Sequence, residues 1–128
     1  MLSVVAGISL VYDLAAGVVL LAATDRMASW FGARVPDPIL FAKLNGLFLI
    51  AVGLGYLQPL RQPDAHRAYM WVFGVLLKGA GAAAFVADHY INGSPESFLL
   101  FAVSDGTLAV ATLAALLVGR RSTAIAAR

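Results

Sequence analysis

The stretch that decides the fold lies near the start of the chain, where residues 2–24 read LSVVAGISLVYDLAAGVVLLAAT. Asp13 is the one charged residue among these 23 positions. A bilayer core about 30 Å thick is crossed by an α-helix of roughly 20 predominantly apolar residues. The stretch meets both conditions, and it therefore predicts a membrane-spanning helix.

Three further stretches of the same kind follow, at residues 38–57, 67–90 and 96–119. Asp37-Pro38 and Ser94-Pro95 pair an N-cap acceptor with a proline at the first helical position, and we expect them to begin the second and fourth helices. We expect Pro59 and Pro63 to end the second helix, because proline removes a backbone donor and clashes with the preceding turn. The sequence predicts one all-α domain over residues 1–128: an integral membrane four-helix bundle with antiparallel, up-down helices.

Composition excludes several classes of protein. Hydrophobic residues make up 61% of the chain and charged residues 12%, whereas soluble domains carry about 25% charged residues. The net charge is only +2, and no basic run is dense enough for nucleic acid. The chain has no cysteine, which excludes disulfides and Cys-ligated metals. We expect membrane lipid as its surroundings, no nucleic-acid partner and no metal.

The connection at residues 25–32 places Met27, Trp30 and Phe31 on one face at helical spacing. Aromatic residues of this kind lie at headgroup depth in membrane proteins. We predict a short interfacial helix here, with a plain loop as the alternative. The predicted interfacial anchors are Trp30, Phe31, Trp71 and Tyr90.

Arginines indicate the orientation, since short cytoplasmic loops carry an excess of Lys and Arg. One side of the predicted bundle holds Arg61, Arg67, Arg120, Arg121 and Arg128, and the other holds Arg26 and Arg34. We therefore expect both termini to be cytoplasmic, in a multi-pass protein of a bacterial inner membrane.

Charged residues inside the apolar stretches are the most informative, because an ionisable group at mid-membrane is costly and usually has a partner. Helical rise places Asp13, Lys78 and Asp105 roughly 16, 15 and 13 Å from the outer end of the bundle. Lys43 lies at roughly 8 Å. We predict a buried ionic cluster in which Lys43 balances the second carboxylate. The predicted hydrogen-bond partners are Tyr12, Asn45, Ser104 and Thr107.

The purpose of such a cluster stays open at this point. It would either fix helix register and packing, or form the polar end of a cavity that binds a headgroup, a quinone or a small substrate, or passes protons. Small residues let helices approach closely in lipid. We expect the third helix to be the packing centre of the bundle. The glycines expected at close contacts between helices are Gly46 and Gly53 of the second helix and Gly74, Gly79 and Gly81 of the third.

Several short motifs carry a resemblance to a known group of proteins. They are Tyr12-Asp13-Leu14 with Gly17, Trp30-Phe31-Gly32, Lys43-Leu44-Asn45-Gly46 with Gly53 and Gly55-Tyr56, Trp71, Lys78-Gly79, and Ser104-Asp105-Gly106. Across most of its length the chain resembles the DoxX-like proteins and related small bacterial membrane proteins. The resemblance implies a four-helix bundle in a membrane. Some relatives are labelled as peroxide reductases, but that activity needs a cysteine and this chain has none.

Three functions follow as hypotheses. The first is an accessory subunit of a larger respiratory or photosynthetic complex, favoured by short loops and by a Gly- and Ala-rich surface, with other membrane subunits or a second copy as partners. The second is a binder or carrier of a lipophilic molecule such as a quinone, isoprenoid or lipid. The third is an enzyme using Asp and Lys as acid and base. The lack of a nucleophile or cofactor motif favours a non-enzymatic role, with lipid, quinone or pigment as the candidate bound molecules.

Overall fold

The computed structural model describes the backbone of residues 1–126 and the side chains of residues 1–119. This part of the chain is helical, with short connections and no strand. Four stretches are long and apolar enough to cross a membrane: Leu2–Ala22, Leu40–Arg61, Arg67–Asn92 and Glu96–Gly119. The predicted all-α class and the four long helices are thus confirmed. The orientation stays a prediction, and the side chains of Arg120, Arg121 and Arg128, on which it depends, lie outside the described residues.

Helix α1 spans Leu2–Ala22, and the short helix α2 spans Thr24–Trp30. Ala23 leaves the helical conformation between them, with φ −140° and ψ 46°. A helix is therefore present where the sequence predicted one. The three residues predicted to share one face of this helix differ in exposure: Met27 and Phe31 are half-buried, whereas Trp30 is 68% exposed.

The second long stretch consists of α3 (Leu40–Gly55) and α4 (Leu57–Arg61), separated by a tight turn at Tyr56. The prediction that Pro59 and Pro63 end this helix was wrong for Pro59, whereas Pro63 lies two residues beyond the end of the helix at Arg61. Pro59 is the third residue of α4, where backbone N–H groups have no partner within the helix in any case. The missing donor therefore costs little, and the chain stays helical up to Arg61.

The third long stretch changes its helical type. It begins as α5 (Arg67–Tyr69), continues as a π-helix over Met70–Leu77 and returns to an α-helix in α6 (Lys78–Asn92). A π-helix has wider turns than an α-helix and is frequent at functional sites. Lys78 is the first residue after this π-helix. Gly93 ends α6 with a φ of +70°, a conformation that glycine adopts without strain.

A 3₁₀ turn over Glu96–Phe98 leads into α7 (Leu99–Ala126). Two hydrogen bonds between residues far apart in the chain define two ends of the molecule. At one end Ser97 Oγ donates to the carbonyl of Phe31, just after α2. At the other, next to α4, the Arg67 side chain donates to the Leu116 carbonyl. We call these the α2 end and the α4 end.

Glycine contacts show which helices approach most closely. A Cβ on Gly17 would lie 2.8 Å from the Gly46 carbonyl oxygen, and one on Gly46 would lie 2.9 Å from that of Gly17. Over all its neighbours α1 makes the most extensive contacts of the molecule, above all with α3, so α1 and not the third helix, as predicted, is the packing centre. Gly53 packs against Leu14.

Glycines of the third stretch differ among themselves. A Cβ on Gly74 would meet Thr112 Cγ2 at 2.7 Å, so this glycine is needed for packing. The prediction of close contacts at Gly79 and Gly81 was wrong, because a Cβ there would find its nearest neighbours at 3.9 and 3.6 Å. These are ordinary van der Waals distances, and both positions have room for a methyl group.

An apolar core lies at the α4 end. It consists of Leu2, Val5, Ala6, Val52, Tyr56, Met70, Ala115 and Leu116. Tyr69 stacks on Phe73 and donates to the Val52 carbonyl, which ties the third stretch to α3. Trp71 is half-buried and packs against this core, and its role as an interfacial anchor stays a prediction.

Candidate functional site

Three charged side chains from three helices meet in the interior. Lys78 Nζ, from the start of α6, lies 2.6 Å from Asp13 Oδ1 of α1 and 3.4 Å from Asp105 Oδ1 of α7. The side chains of Lys78 and Asp13 are 5% and 2% exposed, and that of Asp105 is 17% exposed. We call these residues the charge triad. The structure thus brings together the three residues that helical rise placed at one depth.

Tyr12 covers one side of the triad. Its hydroxyl lies 2.7 Å from Ser104 Oγ, and Ser104 in turn donates to the Leu100 carbonyl at 2.9 Å. The Tyr12 hydroxyl is therefore the donor of the first bond, and it links α1 to α7. The centre of its ring lies 4.8 Å from Lys78 Nζ, a distance at which an aromatic face attracts a cation.

Lys43 does not belong to the triad, which corrects the predicted charge balance. Its side chain is exposed and forms no ion pair within the described residues. The direction of the side chain, which depth along the helix does not determine, was predicted wrongly. Ala42 and Gly46 form the buried face of α3, and Lys43 is turned by about 100° from Ala42.

Of the predicted hydrogen-bond partners, Thr107 is also misplaced. It is exposed, because it lies two positions from Asp105 and about 200° further around α7. Asn45 makes no bond to the triad within the described residues, but it lines the cavity described below.

Two polar residues near the triad were missed by sequence reasoning. The atoms Ser9 Oγ, Asp13 Oδ2 and Tyr56 Oη are buried and find no hydrogen-bond partner among the described residues. Ser9 lies one helical turn before Asp13, and this four-residue spacing was a usable signal. Tyr56 is fully buried in the core next to residues of α1, and no local pattern of the sequence indicates this position.

A cavity of about 240 Å³ extends from the triad towards the α2 end. Tyr12, Asp13 and Asp105 line its inner end, and Arg34 and Pro36 line it near the connection that follows α2. Its remaining lining is mostly apolar: Ala16, Leu20, Met27, Ala28, Phe31, Ala33, Ala42, Leu49, Phe85, Phe98 and Phe101, with Thr24 and Asn45. The cavity thus has an apolar wall and a charged floor.

Four phenylalanines build one wall of this cavity. Phe101 stacks on Phe31 with ring centres 4.7 Å apart, and on Phe85 at 5.3 Å. Phe98 contacts all three rings. The ring of Phe31 therefore faces inwards and completes this wall, and its role as an interfacial anchor stays a prediction.

The other predicted anchors point outwards. Trp30 is 68% exposed and Tyr90 is 78% exposed. His89, beside Tyr90, donates from Nδ1 to the Ser94 carbonyl at 2.7 Å and thereby braces the turn between α6 and α7. Within the described residues no three His, Cys, Asp or Glu side chains come together as metal ligands.

Formal charges in the triad do not cancel. Two carboxylates face one ammonium group, which leaves a net charge of −1 when all three are ionised. Lys43 would have cancelled this charge, but it points away. An uncompensated charge in a low-dielectric interior is costly, so the floor of the cavity favours a proton, a cation or a hydrogen-bond donor.

Comparisons of the chain with protein-family models, with curated proteins and with solved structures find no match, so the resemblance to the DoxX-like proteins stays a prediction.

Proposed function

We propose that the chain crosses a bacterial inner membrane four times as an antiparallel, up-down bundle with both termini in the cytoplasm. All four long helices expose large apolar side chains, among them Val4, Phe48, Leu76 and Val110. Such surfaces are rare on soluble monomers and normal in lipid. The contacts at the α2 and α4 ends support alternating helix directions, because residues 31 and 97 meet at one end and residues 67 and 116 at the other.

We propose further that the chain binds a small, largely apolar molecule in the cavity, with the polar end of that molecule at the charge triad. The observation that carries the proposal is the cavity itself, whose apolar, aromatic wall leads to Asp13 and Asp105. Ligand sites commonly combine an apolar lining with a few polar groups that fix orientation.

Cavity size limits what enters. Sites for drug-sized ligands measure about 300–1,000 Å³, and this cavity is smaller at about 240 Å³. A ring or a polar head with a short apolar segment fits, and a longer tail would leave past α2. A quinone, an isoprenoid or a lipid with such an end belongs to this class.

A matched pair of variants tests the binding function. Ala16 lines the cavity, whereas its neighbour Ala15 faces outwards. We expect Ala16→Phe to fill the cavity and Ala15→Phe to leave it open. Mass spectrometry of small molecules extracted from the purified proteins should find the same compound with the wild type and Ala15→Phe, and lose it with Ala16→Phe. Equal content in both variants, or none in the wild type, would contradict the proposal.

The accessory-subunit and acid–base enzyme hypotheses rest on the sequence alone and stay predictions. Co-purification of a stable partner from native membranes would support the first of them. The register-fixing role of the triad is compatible with ligand binding, since the same ion pairs that join three helices also form the floor of the cavity.

A further inference from the structure

The charge of the cavity floor indicates which ligands it selects. Lys78 is the only cation within ion-pair distance of Asp13 or Asp105 in the described part of the chain. Arg34 also lines the cavity, but it is exposed, follows α2 in the chain and forms no ion pair with either carboxylate. Water screens an exposed charge of this kind far better than a buried one. The inner end of the cavity therefore carries an excess of negative charge.

Acceptor atoms are also in excess there. Lys78 donates a short bond to Asp13 and only a long one, at 3.4 Å, to Asp105. Asp13 Oδ2 is buried and has no partner among the described residues. Asp105 is the most exposed member of the triad and faces the cavity. A ligand group that donates hydrogen bonds and carries positive charge would bond to the free acceptor atoms and also neutralise the excess negative charge.

The apolar wall suits the same kind of group. Tyr12 and the phenylalanines present aromatic rings along the path from the α2 end to the triad. Faces of aromatic rings attract cations, and the attraction grows where water is excluded. Tyr12 already holds Lys78 Nζ at such a distance.

We propose that the cavity selects molecules whose inner end is a protonated amine attached to a small apolar or aromatic body. This proposal rests on the binding function given above. The ammonium group of the ligand binds Asp105 and approaches Asp13, and it brings the formal charge of the floor from −1 to zero. A neutral molecule of the same shape fills the same space and leaves the charge in place.

Three probes of nearly equal shape test the proposal: phenylbutylamine, phenylbutanol and phenylbutyrate. Binding is measured by isothermal titration calorimetry to the full chain in lipid nanodiscs, and the signal of empty nanodiscs is subtracted because all three probes partition into lipid. We expect the amine to bind at least tenfold more tightly than the alcohol, and the carboxylate to bind most weakly. Charge-assisted hydrogen bonds are the stronger kind, which sets this order.

Variants locate the effect. Asp105→Asn should bring the affinity for the amine down to that for the alcohol, whereas Asp64→Asn, an exposed site at the α4 end, should change neither. The comparison of probes on the wild type needs no variant, so it holds even if Asp105→Asn does not fold.

Outcomes separate this inference from the binding function. Equal affinity for amine and alcohol, with both lost in Ala16→Phe, would overturn the selection for amines and leave the binding function intact; a proton would then neutralise the floor. Tightest binding of phenylbutyrate would overturn it by showing that Lys78 dominates. No binding of any probe would also overturn it, while the extraction experiment would still decide the binding function.

Discussion

The two halves of the helix bundle differ in what fills the space between the helices. At the α4 end, Leu2, Val52, Met70 and Leu116 pack around Tyr56 in an apolar core. At the α2 end, the same four helices leave a cavity of about 240 Å³. Both halves are built from apolar residues, so hydropathy alone does not distinguish them.

Side-chain size is what separates the halves. Alanines line the cavity at four positions, 16, 28, 33 and 42, where larger side chains would have filled it. The bulky residues of this half, the phenylalanines, stack on one another along one wall instead of crossing the space. The charge triad lies between the halves, beneath the cavity. One half thus provides a packed scaffold and the other an open site.

The largest expected effect comes from removing the cation of the charge triad, which lies between the two halves. Lys78→Leu leaves the buried carboxylate of Asp13 and the half-buried one of Asp105 without their cation, and removing one partner of a buried pair costs about 3–5 kcal/mol. We expect a large loss of stability in denaturant titration of the purified protein. Lys43→Leu is the matched control: its side chain is exposed, and the stability should be nearly unchanged.

An equal stability of both lysine variants would show that the triad does not hold the helices together. It would also remove the reason for treating Lys78 and Lys43 differently, although both are lysines within long apolar stretches.

A smaller effect separates the core from the cavity wall. Leu116 is fully buried at the α4 end, whereas Leu20 lines the cavity. We expect Leu116→Ala to lower the free energy of unfolding by about 2 kcal/mol or more, because it opens a hole in packed surroundings. Leu20→Ala should cost less than about 1 kcal/mol, since one side of Leu20 already faces open space.

The same denaturant titration compares the two leucine variants. A greater loss for Leu20→Ala would mean that the α2 half is the packed one, and the comparison of the halves would have to be reversed.

Sequence reasoning predicted the features that depend on position along a helix. Length and composition gave four long helices, and a rise of about 1.5 Å per residue placed Asp13, Lys78 and Asp105 at one level. What it missed depends on rotation around the helix. A helix that is apolar on all sides has no polar face from which the buried side can be inferred, and for this reason Lys43 and Thr107 were assigned to the interior.

Long-range packing accounts for the other misses. The packing of Phe31 on Phe98 and Phe101 was not predicted, because these partners lie far along the chain. Gly79 and Gly81 were expected to be tight because small residues often are, whereas Gly17 and Gly46 are the glycines at which two helix backbones come into direct contact. The cavity arises where small side chains of several helices coincide, and no single stretch of sequence indicates that coincidence.

The most direct test of the account measures whether water-soluble reagents enter the α2 half. The chain has no cysteine, so single substitutions give a clean signal. Ala16→Cys lies in the cavity wall, Ala15→Cys faces outwards, and Ala6→Cys lies in the core of the α4 half. We expect a cationic methanethiosulfonate reagent, applied to the protein in nanodiscs, to modify Ala16→Cys rapidly and the other two slowly or not at all. If Ala16→Cys reacted as slowly as Ala6→Cys, the α2 half would hold no accessible cavity, and the central claim would be contradicted.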